Sequence, residues 1–227
     1  MLIGDCLDVL PMLPSASVDL VLADPPYGTT RNQWDCRIDL QRLWPELRRV
    51  AKPNAAVVLC AAPPFDKMLA ASNFGEYRYD WVWEKGNATG HLNAKRQPLR
   101  AHEYLLVFYR EPPTYNPQMT TGHKPVNKFY TRHSGSNYGA ATASTAGGGS
   151  TERYPRSVLK FSSDKQTDNR HSTQKPLALM RYIIRTYSSP GDVVLDFCAG
   201  SGTTGRACDA EGRQFVGIEL RDCKVVA

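Results

Sequence analysis

Asp24-Pro25-Pro26-Tyr27 carries the most pointed chemistry in this 227-residue chain. Two consecutive prolines fix φ and stiffen the loop. Pro26 has no amide proton, the Pro25 carbonyl is left free to accept, and the Asp24 carboxylate is a second acceptor. Tyr27 adds an aromatic plate. Together these groups suit a planar molecule bearing an –NH2, with two acceptors for its two N–H bonds and one ring for stacking. The exocyclic nitrogen of adenine or cytosine shares its lone pair with the ring and is a poor nucleophile. Accepting both of its hydrogens in the right geometry favours a pyramidal nitrogen with a localised lone pair, able to attack an activated methyl group. Positioning and electrostatics would supply most of that catalysis, with no metal. A base inside a duplex must leave the stack to reach such a pocket. In plainer terms the segment is a proline-rich turn with an exposed tyrosine.

A second constellation lies near the C-terminus. Gly200, Gly202 and Gly205 fit G-x-G-x-x-G, after the apolar run VVLDF and ahead of a short helical pattern. Glycines there let the backbone approach a ligand at a tight turn. Glu219 ends the next apolar run, about 20 residues on, where an acid would bind ribose hydroxyls. This pattern points to a nucleoside cofactor without naming it, and a dinucleotide dehydrogenase would show much the same loop. Asp24–Tyr27 decides between the readings, because a dehydrogenase has no use for an amine grip.

These residues need elements to hold them. VDLVLA before Asp24 reads as a buried strand with the motif at its C-terminal end, where open α/β sheets place ligand chemistry. Leu2-Ile3, AAVVLCAA, YDWVWEK, EYLLVFYRE, VVLDF and QFVGIEL read as further strands. Leu40, Leu43, Trp44, Leu47 and Val50 sit at helical spacing, with Pro45 weakening the pattern and Pro53-Asn54 ending it. Thr173 suits a helix cap, with Pro176 in the first turn of LALMRYIIRTY. Alternation of strands and helices predicts an α/β fold with a mostly parallel sheet. Between Pro112 and about Arg170 the periodicity dissolves. Regular structure is expected to be sparse there, with mobility around Ala140–Thr151.

Composition narrows the setting. No run of about 18 apolar residues exists, so no membrane-spanning helix is expected. No basic-then-apolar leader opens the chain. Cys6, Cys36, Cys60, Cys198, Cys208 and Cys223 show no C-x-x-C spacing, so neither a zinc site nor a disulfide framework is expected. A reduced, cytoplasmic location follows. Residues 85–185 hold 16 Lys and Arg against 5 Asp and Glu, whereas the flanks hold 12 against 17. A basic middle between acidic flanks is either a polyanion-binding region or a solvated face.

The segments GDCLDVLPMLPSASVDLVLADPPYG, HSTQKPLALMRYIIRTYSSPGDVVLDFCAGSGTTG and FVGIEL resemble the β-group of amino-methylating DNA methyltransferases, adenine-N6 or cytosine-N4, of bacterial or phage type. The resemblance covers the chain apart from about 112–165. It implies a doubly wound, mostly parallel, seven-stranded Rossmann-like sheet, circularly permuted. Residues 1–111 would be the catalytic half, 112–170 an inserted target-recognition region, and 171–227 the cofactor-binding half. S-adenosylmethionine would be the cofactor. Asp5 would bind its adenine and Glu219 its ribose. Phe197, Gly200, Gly202, Thr203 and Thr204 would line its methionine side, Asp196 would be a further cofactor-binding residue, and Gln174, Lys175 and Pro176 would form a further wall. Asp24, Pro25, Pro26 and Tyr27 would hold a flipped base, adenine before cytosine. The basic balance of the middle region, read with this resemblance, leads one to expect Lys95, Arg96 and Arg100 to contact double-stranded DNA. A homodimer and a cognate restriction endonuclease, as in restriction-modification systems, fit the same family. Methylation of RNA or a protein amide, or a silent DNA-binding relative, would use the same residues. The chain departs from the family's D-P-F-A-G-S-G in having Phe197-Cys198 where Pro-Phe is common, and the family pattern leads one to expect a further helix after Glu219.

Overall fold

The computed structural model describes residues 1–30, 35–125, 148–162 and 174–220. Its residues form two compact units, Met1–Asn116 with Ser157–Ala227, and Pro117–Arg156. The first unit is built on one eight-stranded sheet. In chain order its strands are β1 (Leu2–Ile3), β2 (Val18–Ala23), β3 (Ala51–Ala61), β4 (Tyr77–Thr89), β5 (Arg100–Phe108), β6 (Val158–Phe161), β7 (Val193–Asp196) and β8 (Gln214–Glu219). The helices are α1 (Cys6–Val9), α2 (Leu40–Val50), α3 (Phe65–Ser72), α4 (Leu177–Tyr187) and α5 (Thr203–Glu211). Spatial order is β1-β8-β7-β2-β3-β5-β4-β6, and only β5 runs against its neighbours.

The central strand β2 shows why the sheet is wound on both faces. Every residue of VDLVLA except Asp19 is buried. Val21 and Ala23 join Leu43, Trp44 and Leu47 of α2 and Phe65 and Leu69 of α3 in one core. Leu20 and Leu22 join Leu179, Ile183 and Ile184 of α4 and Ala207 of α5 in the other. A two-residue period that is apolar at both phases can only be satisfied by cover on both sides.

Two expected breaks do not break. Pro45 lies inside α2 on its exposed side. An interior proline costs about 3 kcal/mol. Burying Leu43, Trp44, Leu47 and Val50 contributes roughly 1.5–3 kcal/mol for each side chain, which outweighs it. Asp39 caps the helix by accepting from Gln41 N and Arg42 N at 2.9 and 3.3 Å. Pro53-Asn54 likewise does not precede β3 but lies within it. The pairing with β2 jumps from Val18↔Ala51 to Leu20↔Ala56, so the dipeptide is absorbed as a bulge.

The sequence pattern yields seven strands, and the eighth is β6. Its four residues VLKF lie in the aperiodic stretch and pair with Val82–Lys85 of β4. Helix α4 opens at Leu177 with Pro176 at the cap position rather than in the first turn. The Thr173 cap and most of the Ala140–Thr151 stretch fall outside the described residues. In the second unit, Thr120 bridges Arg153, whose guanidinium donates to the Lys124 carbonyl at 2.6 Å. Among the described residues no helix is long and apolar enough to cross a membrane.

Candidate functional site

Because β1, β8, β7, β2 and β3 are mutually parallel, their C-terminal ends share one edge of the sheet. That edge collects Asp5 after β1, Asp24 after β2, Asp196 and the glycine loop after β7, and Glu219 closing β8. The antiparallel β5 enters the same edge at Arg100–Glu103, since Ala61 at the end of β3 pairs with Tyr104.

At the β2 end the groups form a chain of alternating charge. Asp24 Oδ1 accepts from the Tyr27 hydroxyl at 2.8 Å, and Oδ2 accepts from Lys175 Nζ at 2.6 Å. Lys175 Nζ also lies 3.3 Å from the Tyr27 hydroxyl and 3.3 Å from Glu103 Oε2. The other Glu103 oxygen pairs with Lys85. Lys175, Glu103 and Lys85 are 9, 14 and 11% exposed in their side chains, against 27% for Asp24, so the chain opens to solvent at Asp24. Burial raises the Tyr27 hydroxyl well above its ordinary value, and the Asp24 charge adds to this, so the phenol stays a donor. The Tyr27 ring rests on Phe65 with centroids 5.3 Å apart and planes 19° off parallel. Each carboxylate oxygen carries two lone pairs, so Asp24 retains capacity for an incoming N–H. Pro25 is buried and Pro26 half-buried, and the Pro25 carbonyl takes no hydrogen bond from a described residue. Asp35 closes the loop, accepting from the backbone N–H of Gly28, Thr29 and Thr30 at 2.7, 2.9 and 2.6 Å.

At the β7 end the sequence is local and the charge is not paired. Asp196 Oδ2 accepts from the Thr204 hydroxyl at 2.6 Å and Oδ1 from Cys198 N at 3.0 Å. Burial pushes its carboxyl up to about 7 against those hydrogen bonds, and the Asp24 charge adds to the rise. Gly202 has φ +77 and opens α5, a conformation that disfavours side chains, and a Cβ there would meet nothing within 4 Å. Gly205 is needed for a different reason, because a Cβ there would lie 2.9 Å from the Phe215 ring. It is the close helix–strand contact that the third glycine of the pattern permits. Phe197 is fully buried in the core beneath α1–α3, whereas Cys198 is half-exposed. Thr203 is buried beside Thr204.

The remaining expected ligands are adjacent. Gly4 N donates to the Glu219 carbonyl at 2.9 Å, which sets Asp5 beside Glu219. Asp5 caps α1 through Leu7 N at 2.8 Å. Glu219 Oε2 accepts from Gly200 N at 2.6 Å and so fastens the glycine loop to β8. Gln174, Lys175 and Pro176 are all buried. Among the described residues both side-chain polar atoms of Gln174 lack a partner, while Lys175 is committed to Asp24 and Glu103. Lys95, Arg96 and Arg100 are exposed on the β4–β5 turn and the start of β5, on the same edge as Asp24. Arg100 reaches the Pro63 carbonyl at 3.1 Å, next to the loop that supplies Phe65. Sequence reasoning missed Glu103, Lys85, Phe65 and Asp35. Glu103 is the one with a signal, a lone acid opening an apolar strand, EYLLVF.

A strand end carrying Asp24 and Tyr27 beside a glycine loop, on one edge of a mostly parallel sheet, is the site arrangement of a Rossmann-like α/β enzyme. Residues 18–225 match the family described as DNA methylase, that of the N6-adenine and N4-cytosine enzymes, and the chain belongs to that family. It is 30% identical to the DNA adenine methyltransferase YhdJ of Escherichia coli K12, over 96% of this chain and 76% of that protein. It is also 30% identical to the type II methyltransferase M.XycI of Xanthomonas campestris pv. cyanopsidis, over 96% and 82%. Among solved structures it resembles the M1.HpyAVI–SAM complex at TM-score 0.65 and 24% identity, covering 99% and 94% of the two chains. It resembles the cytosine-N4-specific PvuII DNA methyltransferase at TM-score 0.69 and 16% identity, covering 96% and 80%. The two structural likenesses bear on the fold.

Proposed function

We propose that this DNA methyltransferase transfers a methyl group from S-adenosylmethionine to adenine N6. The observation that carries the reading is the Asp24 carboxylate, open to solvent at the end of β2 with its free lone pairs beside the Pro25 carbonyl. The two acceptors would take the two N–H bonds of a flipped base, and Tyr27, backed by Phe65, is a fixed aromatic plate. When bound, the cofactor supplies an electrophilic methyl on a sulfonium. Asp24 would orient the target nitrogen and provide negative charge as that nitrogen becomes cationic.

The residues fit that cofactor. Gly202 leaves open space at the start of α5. The unpartnered Gln174 amide offers a donor and an acceptor to a polar ligand. Asp5 and Glu219 stand side by side for adenine and ribose, and Asp196, Gly200, Thr203 and Thr204 frame the loop between them. Phe197 would contribute as support from beneath the loop. Residues 112–170 would be the target-recognition insert, and Lys95, Arg96 and Arg100 would meet phosphates.

Adenine is favoured by the Asp at the first position of the motif, which in the resembling family goes mostly with adenine, and by the name of the Escherichia coli relative. A purine also offers Tyr27 more stacking area. The test is methylation of unmodified genomic DNA, digestion to nucleosides and mass spectrometry. N6-methyladenine is expected. N4-methylcytosine alone would overturn the choice of base, and no methylated base would overturn the whole reading.

A further inference from the structure

Glu103 is a largely enclosed carboxylate, its side chain 14% exposed, that the amine grip does not use, yet it touches the residue that does most to hold Asp24. We propose that Glu103 is a positioning residue of the methyl-transfer site, which holds the Lys175 ammonium between two carboxylates so that Asp24 keeps its negative charge toward the target amine. The proposal rests on the reading of Asp24 as the amine acceptor.

The geometry makes the argument. Lys175 Nζ is 2.6 Å from Asp24 Oδ2 and 3.3 Å from Glu103 Oε2. An ammonium with Asp24 alone would form a neutral pair at the point where the nucleophilic nitrogen gains positive charge. A second anion on the far side of the ammonium leaves the Asp24–Lys175–Glu103 group with one net negative charge. Lys85 balances Glu103 from its other oxygen, one step further from the base. The assembly draws on four separate segments: the β2 end, β4, β5 and the approach to α4. Lys175 also ties together residues 151 apart in sequence.

The electrostatics agree with the geometry. Burial works against charge on Lys175. The groups facing it are Asp24, Tyr27, Glu103 and Cys60, and together they hold the ammonium well above the usual lysine range. Burial also opposes charge on Glu103, but Lys175 and Lys85 outweigh it and hold the carboxyl below its ordinary value. Lys175 and Glu103 are therefore both ionised at neutral pH. Removing Glu103 takes one anion from Lys175, so its proton should leave at lower pH.

The experiment compares wild type with E103Q, K175M, E103Q/K175M and D24A, reading kcat on DNA, cofactor Kd and the pH profile of kcat. E103Q is expected to lose at least tenfold in kcat while cofactor Kd stays within about twofold. The alkaline limb of its profile should move to lower pH. The double variant should be no slower than K175M alone, because Glu103 acts through Lys175. Wild-type kcat with an unmoved limb in E103Q would overturn the proposal, as would losses that multiply in the double variant. Should E103Q melt below assay temperature, E103D replaces it. It keeps the charge one methylene further back, so an intermediate kcat with the limb near wild type is expected, and full kcat overturns the idea. D24A separates the two layers. A dead D24A with a fully active E103Q removes only the role of Glu103, whereas an active D24A removes the amine grip itself.

Discussion

Asp24 follows β2 and Asp196 closes the adjacent β7, so two carboxylates stand at neighbouring strand ends in opposite settings. Asp24 is half-open to solvent and paired with a buried ammonium. Asp196 is 3% exposed and, among the described residues, answered by a hydroxyl and an amide. The first arrangement sets a carboxylate between a buried ammonium and solvent. The second holds a loop in shape and disfavours charge. One edge of one sheet thus combines an electrostatic half, assembled from distant segments, with a backbone half written locally in residues 196–205.

The largest effect should come from breaking the electrostatic half. Asp24→Ala is expected to lower methyl transfer by at least a thousandfold, since an acceptor acting on the reacting nitrogen itself is removed. Cofactor Kd should stay within about threefold, because in the proposed site Asp24 serves the target amine rather than the cofactor. Labelled-methyl transfer and calorimetry measure the two, and a variant retaining most of its turnover removes Asp24 from the grip.

Asp196 gives the contrasting response, in stability rather than turnover. Its carboxyl moves from an ordinary 3.8 up to about 7 on folding, because burial penalises the charged form. Between those values the folded state holds a proton that the unfolded chain has lost. Its contribution to stability is therefore full below about pH 4 and is lost as pH rises through 7. At roughly 1.4 kcal/mol per unit the swing is about 4 kcal/mol. Asp196→Asn lacks it, so the variant should gain on wild type as denaturant melts move from pH 5 to pH 8. A difference that does not change with pH would mean that Asp196 is ionised in the fold throughout.

The two halves were not equally legible in the sequence. The β7 half could be read almost whole, because G-S-G-T-T-G, Asp196 and Glu219 are either contiguous or one strand apart. The Gly205–Phe215 contact is the close helix–strand approach such a loop requires. In the β2 half only Asp24–Tyr27 was visible. Lys175 came forward through a family resemblance that set it on the cofactor side, and neither Glu103 nor Lys85 was singled out. Nothing in spacing tells that residues 24, 85, 103 and 175 meet, because that depends on β5 running antiparallel between β3 and β4. The fold followed the same rule. Strands with long apolar runs were plain, while β6 was hidden by its length. The bulge at Pro53-Asn54 and the helix through Pro45 were decided by packing that local propensity does not contain.

A third substitution sharpens the division from the backbone side. Glu219→Ala removes a carboxylate that fastens Gly200 and would bind ribose hydroxyls. The loss should be about 1.5–3 kcal/mol in cofactor affinity, or roughly ten- to a hundredfold in Kd. Turnover at saturating cofactor should change far less than in Asp24→Ala. An unchanged cofactor Kd takes Glu219 out of the site.

The smallest effect is expected at the β4–β5 turn, and it tests whether DNA approaches from the electrostatic half. Arg96 is exposed and lies on the same sheet edge as Asp24. Four residues on in the chain, Arg100 donates to the Pro63 carbonyl, two residues before Phe65. If Arg96 meets a phosphate, its removal releases one fewer counterion on binding. The slope of log K against log salt should then flatten by about 0.9. At roughly 0.15 M salt that amounts to about a fivefold loss of DNA affinity, shrinking toward nothing as salt nears 1 M. The loss should be alike for specific and non-specific duplexes, since a phosphate contact carries no sequence information. Cofactor affinity should be untouched, the converse of Glu219→Ala. Fluorescence anisotropy of a labelled duplex across a salt series reads the slope. A parallel line displaced downward would make Arg96 a contact that releases no ions, and a superimposed line would place the DNA path away from this turn.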